Sequence, residues 1–387
     1  MKVKQLAILL LTLTAVGCSI FEDDEEEVRE PAELTAITTE VELDRLWEAN
    51  IGRGAEDKAI RLVPGFSGSR IFAASADGTV KALESGTGRE IWRVDIKQFY
   101  SEAEQRNAFN KTADTITGGV GVGDELVLVG SSAGEVVAMN QSDGSLAWRA
   151  AATSEILSPP QADGGLVVAQ SIDGKIAAYD GLDGERRWLY SASIPSLTLR
   201  GTAVPHLSDG VITGFANGRI VVIQRDRGIP VIEQRIAAAQ GQSDLERLVD
   251  IDGLIARDGN MLYAASYQGN IVAIDLAQNG RPRWGAPAST VTGVSFGFGS
   301  VYFSSADGEL VAYNANNGNE NWKTDALLYR DLTAPVPVSS YLAVGDFEGY
   351  LHLVAQSDGR FVGRVRVDSD GLNSPVVVDG SRMYVLG

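Results

Sequence analysis

From Ile71 onward the apolar residues fall into short β-rich runs separated by turns that end in glycine, and the whole arrangement recurs along the chain. In the first copy Ile71-Phe72-Ala73-Ala74-Ser75 leads through Ala76-Asp77-Gly78 into Thr79-Val80-Lys81-Ala82-Leu83. Gly86-Thr87-Gly88 then leads into Glu90-Ile91-Trp92. Asp-Gly and Gly-rich turns between β-formers predict hairpins, because glycine reaches φ > 0 without steric penalty. Each copy therefore reads as three strands. Upstream of each lies a Gly, Pro and Val-rich stretch, such as Ser158-Pro159-Pro160-Gln161-Ala162-Asp163-Gly164, which supplies a fourth, innermost strand. Four antiparallel strands in about 40 to 50 residues make one blade of a β-propeller.

The first turn is marked by Gly78, Gly134, Gly174, Gly218, Gly269, Gly308 and Gly349, and the second by Gly88, Gly144, Gly184, Gly228, Gly280, Gly318 and Gly359. Trp92, Trp148, Trp188, Trp284 and Trp322 each stand four residues after the second glycine, and Trp47 precedes the first complete copy. A large indole at that place bridges neighbouring blades while its N–H finds an acceptor. Copies four and seven carry Ile232 and Gly363 there instead, so those junctions are expected to pack differently. Beyond the seven copies, Leu372 to Asp379 and Arg382 to Leu386 read as two further strands, and Leu43 to Ile51 as an outer one. The expected fold is all-β: an eight-bladed β-propeller of four-stranded antiparallel blades over residues 41–387, its ring closed by pairing the N- and C-terminal strands.

Composition narrows the partners. Lys and Arg total 33 against 51 Asp and Glu, and the net charge of −18 argues against nonspecific attraction to nucleic acid or anionic lipid. The sole cysteine, Cys18, excludes a disulfide framework and a cysteine metal cluster. It follows a basic start (Lys2, Lys4), an apolar run from Leu6 to Leu13 and the small-residue approach Ala15-Val16-Gly17, the layout of a secretory signal over residues 1–17. Residues 18–40, dense in acid from Glu22 to Glu33, read as an extended tether. An ordinary signal peptide that happens to contain a cysteine is the alternative.

Several constellations fail to make a site. His206 and His352 fall in different blades, so they are expected at the surface or in loops rather than in a shared metal site or a triad. Gly118 to Gly123 has the glycines of a dinucleotide loop, but a strand follows it rather than a helix. Residues 98–112 form a polar insertion, with a short helix expected from Glu102 to Asn107. Asp250 and Asp252 lack the Glu, His or glycine-bounded loop of a calcium site; an Asp-Gly turn, or pairing with Arg200 or a partner's basic groups, are the competing readings. No catalytic, cofactor-binding or metal-ligating residue is expected.

Two resemblances add to this. Small residues leading to Cys18 resemble the bacterial lipobox, which implies acylation of Cys18, and Ser19 after it implies export to the outer membrane. Ala82-Leu83-Glu84-Ser85-Gly86-Thr87-Gly88-Arg89-Glu90-Ile91-Trp92 and the stretch from Ala178 to Trp188 resemble the tryptophan-docking repeat of quinoprotein alcohol dehydrogenases. That repeat also occurs in propellers that bind no quinone. An enzyme of that kind needs a ring-stacking tryptophan and commonly a vicinal cysteine pair, whereas the repeat uses every tryptophan here and the lipobox uses the cysteine.

Lipobox, acidic tether and blades together resemble the BamB family of outer-membrane assembly lipoproteins across essentially the whole chain. The most specific match is Pro195-Ser196-Leu197-Thr198-Leu199-Arg200-Gly201 with Leu245 to Asp252. The resemblance implies that these segments dock on the POTRA repeats of BamA within the BAM complex and that nascent outer-membrane proteins are the substrates assisted. It assigns partner binding to Leu197, Leu199, Arg200, Asp250 and Asp252. Aliphatic anchors beside a charge suit an interface core; capping of the propeller core by the two leucines remains the alternative. A quinone dehydrogenase or ligand sensor, and an adaptor for another envelope machine, are the other functional readings.

Overall fold

A computed structural model describes residues 29–55, 58–102, 104 and 115–387. Cys18, the lipobox and most of the acidic run lie outside the described residues, as does most of the insertion before residue 115. Residues 31–387 form one compact unit.

Each repeat copy folds as anticipated into a four-stranded antiparallel sheet. In the first blade Gly65–Ser67, Arg70–Ala74, Thr79–Glu84 and Glu90–Asp95 pair in sequence order. Blades 2 to 7 occupy residues 116–151, 161–191, 206–235, 256–288, 295–324 and 336–366 with the same topology. Second and third strands are buried on both faces because a blade is covered by a neighbour on each side. Leu128, Ala138 and Trp148 of blade 2, for example, pack with Val167, Ala177 and Tyr179 of blade 3.

The junctions follow one rule. Each of the five in-register tryptophans lies opposite an alanine of the third strand: Ala82, Ala138, Ala178, Ala273 and Ala312. A β-bulge directly follows each of these pairs, which turns the strand and aims the ring at the next blade. The indole Nε1 then donates to a main-chain carbonyl there: Trp92 to Gln141 at 2.9 Å, Trp148 to Gly181 at 2.9 Å and Trp188 to Arg225 at 2.7 Å. Trp284 and Trp322 do the same to Ala315 and Gln356. The second-turn glycine is required because the ring lies on it: a Cβ on Gly144 would stand 2.8 Å from the Trp92 ring, at a φ of 74°.

Where the tryptophan is missing, its partner grows. Val222 faces Ile232 in blade 4 and Leu353 faces Gly363 in blade 7, so the space filled by the pair is shared differently. Gly363 has a further reason, since a Cβ there would lie 2.8 Å from the carbonyl oxygen of Val41, whose backbone crosses at that point.

One expectation is corrected: the propeller has seven blades, not eight. The last copy yields only the two-stranded ribbon of Val377–Asp379 with Arg382–Tyr384. Residues 42–51 form no strand, so the N- and C-terminal segments do not pair. Trp47 nevertheless docks like the other tryptophans, donating to the Ser85 carbonyl at 3.0 Å and covering Gly88. Its segment thus takes the outermost position, and no described strand lies between it and the ribbon. A cavity of about 1270 Å³ occupies the interval, lined by residues that include Leu43, Trp47, Ile71, Leu83 and Tyr384. The ring closes there through side chains: the Trp47 and Tyr384 rings lie 6.0 Å apart, as do those of Phe66 and Tyr384.

Candidate functional site

Two connections between blades carry the residues singled out by sequence. Residues 192–205 run from blade 3 to blade 4 and residues 236–255 from blade 4 to blade 5. Both link a fourth strand to the next first strand, so they lie on one face of the propeller. They are joined by a parallel bridge between Ala203 and Gly253, with Val204 N donating to Gly253 O at 2.8 Å.

The aspartates hold the loops together from inside. Asp250 is buried, and its Oδ1 accepts the Leu199 backbone N–H at 2.9 Å while its Oδ2 has no partner. Asp252 is also buried, and its carboxylate packs so closely on Gly201 that a Cβ there would lie 2.4 Å from Oδ2. Burial pushes the Asp250 carboxyl up to about 6. Burial and the neighbouring Asp250 charge push Asp252 up to about 7, against the pull of Arg61. Neither aspartate is placed to present a charge to a partner, and neither is hydrogen-bonded to Arg200. That guanidinium donates instead to Glu155 at 2.7 Å and to the Ala59 carbonyl at 2.7 Å, which directs it over the central opening. Arg61, Arg200 and Asp331 are among the residues lining that opening, whose volume is about 230 Å³.

The aliphatic residues divide. Leu197 is 40% exposed, whereas Leu199 is half-buried, drawn in by the Asp250 bond. Leu245, in the second of the two segments and not among the expected partner-binding residues, is 66% exposed. Its loop is pinned by Glu246, whose carboxylate accepts the N–H groups of Gln242 and Ser243 at 2.6 and 3.0 Å, and by buried Leu248 and Val249. The available signal was a leucine flanked by Asp244, Glu246 and Arg247. The face thus offers exposed leucines and arginines on loops locked from beneath by two buried carboxyls.

His206 directly follows loop 192–205, half-buried in the first strand of blade 4, whereas His352 lies in blade 7 and is not at the surface as expected. It is buried in the strand Tyr350–Ala355, with Nε2 2.9 Å from Asp346 Oδ2. Strand alternation places it inside blade 7, where Asp346 satisfies its N–H. Among the described residues no group of three or more His, Cys, Asp or Glu is arranged to hold a metal.

The chain is similar to known proteins along most of its length. The family described as "Outer membrane protein assembly factor BamB" matches residues 76–324. Proteins of that name from Pseudomonas aeruginosa, Yersinia pestis and Escherichia coli are 42%, 34% and 33% identical. The alignments cover 99%, 97% and 96% of this chain and 96%, 95% and 93% of those proteins. The crystal structure of BamB from Moraxella catarrhalis superposes with a TM-score of 0.76 at 29% identity, covering 85% of this chain and 93% of that one. A quinohemoprotein alcohol dehydrogenase from Comamonas testosteroni shares the fold at a TM-score of 0.62 but only 14% identity, over 84% of this chain and 70% of that one.

Proposed function

The chain belongs to the BamB family of outer membrane protein assembly factors, and from that premise we propose that it is a lipid-anchored scaffold docking on the POTRA repeats of BamA through loops 192–205 and 236–255. It is an assembly factor and not an enzyme, and it associates with the outer membrane as part of the BAM complex. Among the described residues no helix is long and apolar enough to cross a membrane. In this reading residues 1–17 are the signal peptide, Cys18 carries the lipid, residues 18–40 link it to the body, and residues 41–387 face the periplasm. Nascent outer-membrane proteins are presented to BamA for insertion.

The observation that carries the docking site is the exposure of Leu197 and Leu245 on two interlocked loops, with Arg200 of the first loop at the central opening. Apolar anchors rimmed by arginine are the usual energetic centre of a protein interface. Asp250 and Asp252 act here by shaping the loops that present these anchors, and Leu199 by fixing one of them. The quinone-enzyme alternative has no observation in its favour, because the indole N–H of each tryptophan is engaged at a blade junction.

The test is co-purification with BamA from detergent-solubilised membranes. Leu197→Asp and Arg200→Glu are each expected to weaken capture by about 30-fold or more, the scale of an interface hot spot, with the circular dichroism melt unchanged. Full capture by both variants would remove the site.

A further inference from the structure

Residues 31–40, which read as the end of the tether, and Val41 after them lie on blade 7 and are held by their main chain. Ala32 N donates to Leu328 O at 2.9 Å, and Ala32 O accepts from Arg330 Nη1 at 3.0 Å. Thr35 O accepts from Arg364 Nη1 at 2.8 Å. Leu34 packs on the cluster that contains Trp322, Leu327 and Leu342. Further along, Glu40 N and Val41 N both donate to Val362 O at 2.8 and 3.0 Å, and the Glu40 carboxylate takes a two-pronged bond from Arg360 at 3.1 and 3.0 Å. The edge of the outer strand Phe361–Arg366 is covered in the process.

The cations that grip this strap are themselves rigidly mounted. Arg330 is buried, donates from Nε to Asp346 at 2.8 Å and pairs through Nη2 with Glu348. Arg364 Nε donates to His352 Nδ1 at 3.1 Å, which leaves the imidazole proton on Nε2, facing Asp346. Burial lowers the His352 pKa and so favours this neutral form. A buried guanidinium is costly unless it is paired and hydrogen-bonded, and for Arg330 the Ala32 carbonyl gives Nη1 its acceptor, so that each of the three nitrogens has a partner. Both grips on the early strap read carbonyl oxygens, so they fix the path of the backbone. Gly363 leaves room for that path.

We propose that residues 31–41 are a tether-length lock: the clamp on blade 7 fixes the chain from Pro31 onward and holds the docking face close to the membrane. The proposal rests on the lipid-anchored reading. From Cys18 to Pro31 an extended chain spans at most about 45 Å, whereas to Leu43, with the strap released, it spans about 85 Å. The grip point Leu328–Arg330 belongs to the connection between blades 6 and 7, the same kind of fourth-to-first-strand connection that carries the docking loops. Arg200 and Asp331 line the same central opening. The chain therefore leaves the propeller on the face that presents Leu197 and Leu245.

The experiment uses the full-length lipidated protein in vesicles and the variant Gly363→Leu, which places a side chain in the strap's path. A Cβ on Gly363 meets Leu353 only at an ordinary contact distance of 3.6 Å, and its one close neighbour is the strap's Val41 carbonyl, so the propeller should tolerate leucine, as a melting curve will establish. Leu34→Asp, which attacks the strap from its own side, is the second route to release. Thermolysin cleavage within residues 31–41 is expected to accelerate about tenfold or more in both variants, because local opening exposes Ile37, and in Gly363→Leu also Leu34. Energy transfer from a dye at the exposed turn position Leu182→Cys to labelled lipid is expected to fall. Wild-type cleavage as fast as in both variants overturns the clamp. Faster cleavage with unchanged transfer overturns the length role. Wild-type protein that is not retained on vesicles overturns the lipid-anchored reading and the length role with it, while the cleavage ratio still reports whether the clamp exists.

Discussion

Replacing Asp252 by Asn should stabilise this protein at pH 8, although it removes a charge from the best-matched segment of the chain. The carboxyl is buried against Gly201 and beside Asp250, and its pKa stands at about 7 in the folded state against 3.8 for the free group. The folded state therefore holds a proton that the unfolded chain releases between about pH 4 and pH 7. Stability falls as pH rises through that window and levels off above it. At about 1.4 kcal/mol per pH unit the loss reaches on the order of 4 kcal/mol, and ionised Asp250 shares part of it. The isosteric amide is neutral throughout, so Asp252→Asn should come within about 1 kcal/mol of the wild type near pH 4.5 and exceed it by about 2 to 4 kcal/mol at pH 8. For a chain of this size that corresponds to a Tm increase of about 3 to 5 °C. Calorimetric or fluorescence melts across pH 4.5 to 8.5 measure both the offset and the slope. A variant that melts below the wild type at pH 8 would refute the reasoning, because it would mean that attraction between Asp252 and Arg61 outweighs desolvation.

Three further outcomes follow from the packing. Trp148→Phe keeps the ring but loses the bond to Gly181 O, and should cost about 1 kcal/mol, whereas Trp148→Ala should cost about 3 to 5 kcal/mol by opening the junction of blades 2 and 3; urea unfolding separates the two. His352→Leu removes a donor from the buried Asp346 carboxylate and should lower stability by about 2 to 4 kcal/mol, and unchanged denaturant midpoints would show that Arg330 and the Glu348 and Tyr350 N–H groups satisfy it without the imidazole. Leu245→Ser should leave the melt within about 0.5 kcal/mol of the wild type, as expected for an exposed position, yet weaken BamA capture; intact capture would confine the interface to residues 192–205.

Much of the fold was legible because a propeller states its plan repeatedly. Turn glycines and tryptophans recur in register, and each marks a steric requirement: an indole lying on a positive-φ glycine with alanine across the strand pair. The departures at Ile232 and Gly363 were equally informative, and the second marks where the strap crosses. The blade count was not legible, since apolar periodicity shows that a segment can form a strand but not whether a neighbour lies within bonding distance. Residues 42–51 have the side chains of an outer strand and dock Trp47 like one, yet form no ladder.

The site divides in the same way. Leu197, Arg200 and the 245–252 segment stood out by lying outside the repeat, but the direction of each side chain depends on burial, which arises only when loops from different blades meet. Asp250 and Asp252 read as surface charges in one dimension and are internal braces in three. His352 is likewise a core residue because of the Asp346 opposite it.

Local sequence determined what repeats: strands, turns, blade junctions, and the acidic, single-cysteine start. Tertiary structure alone decided how many blades close, which carboxyls lose their solvent, and where residues 31–41 are held. Turn and strand preferences act over a few residues, whereas desolvation and backbone clamping depend on groups hundreds of residues apart, such as Arg330 and Ala32.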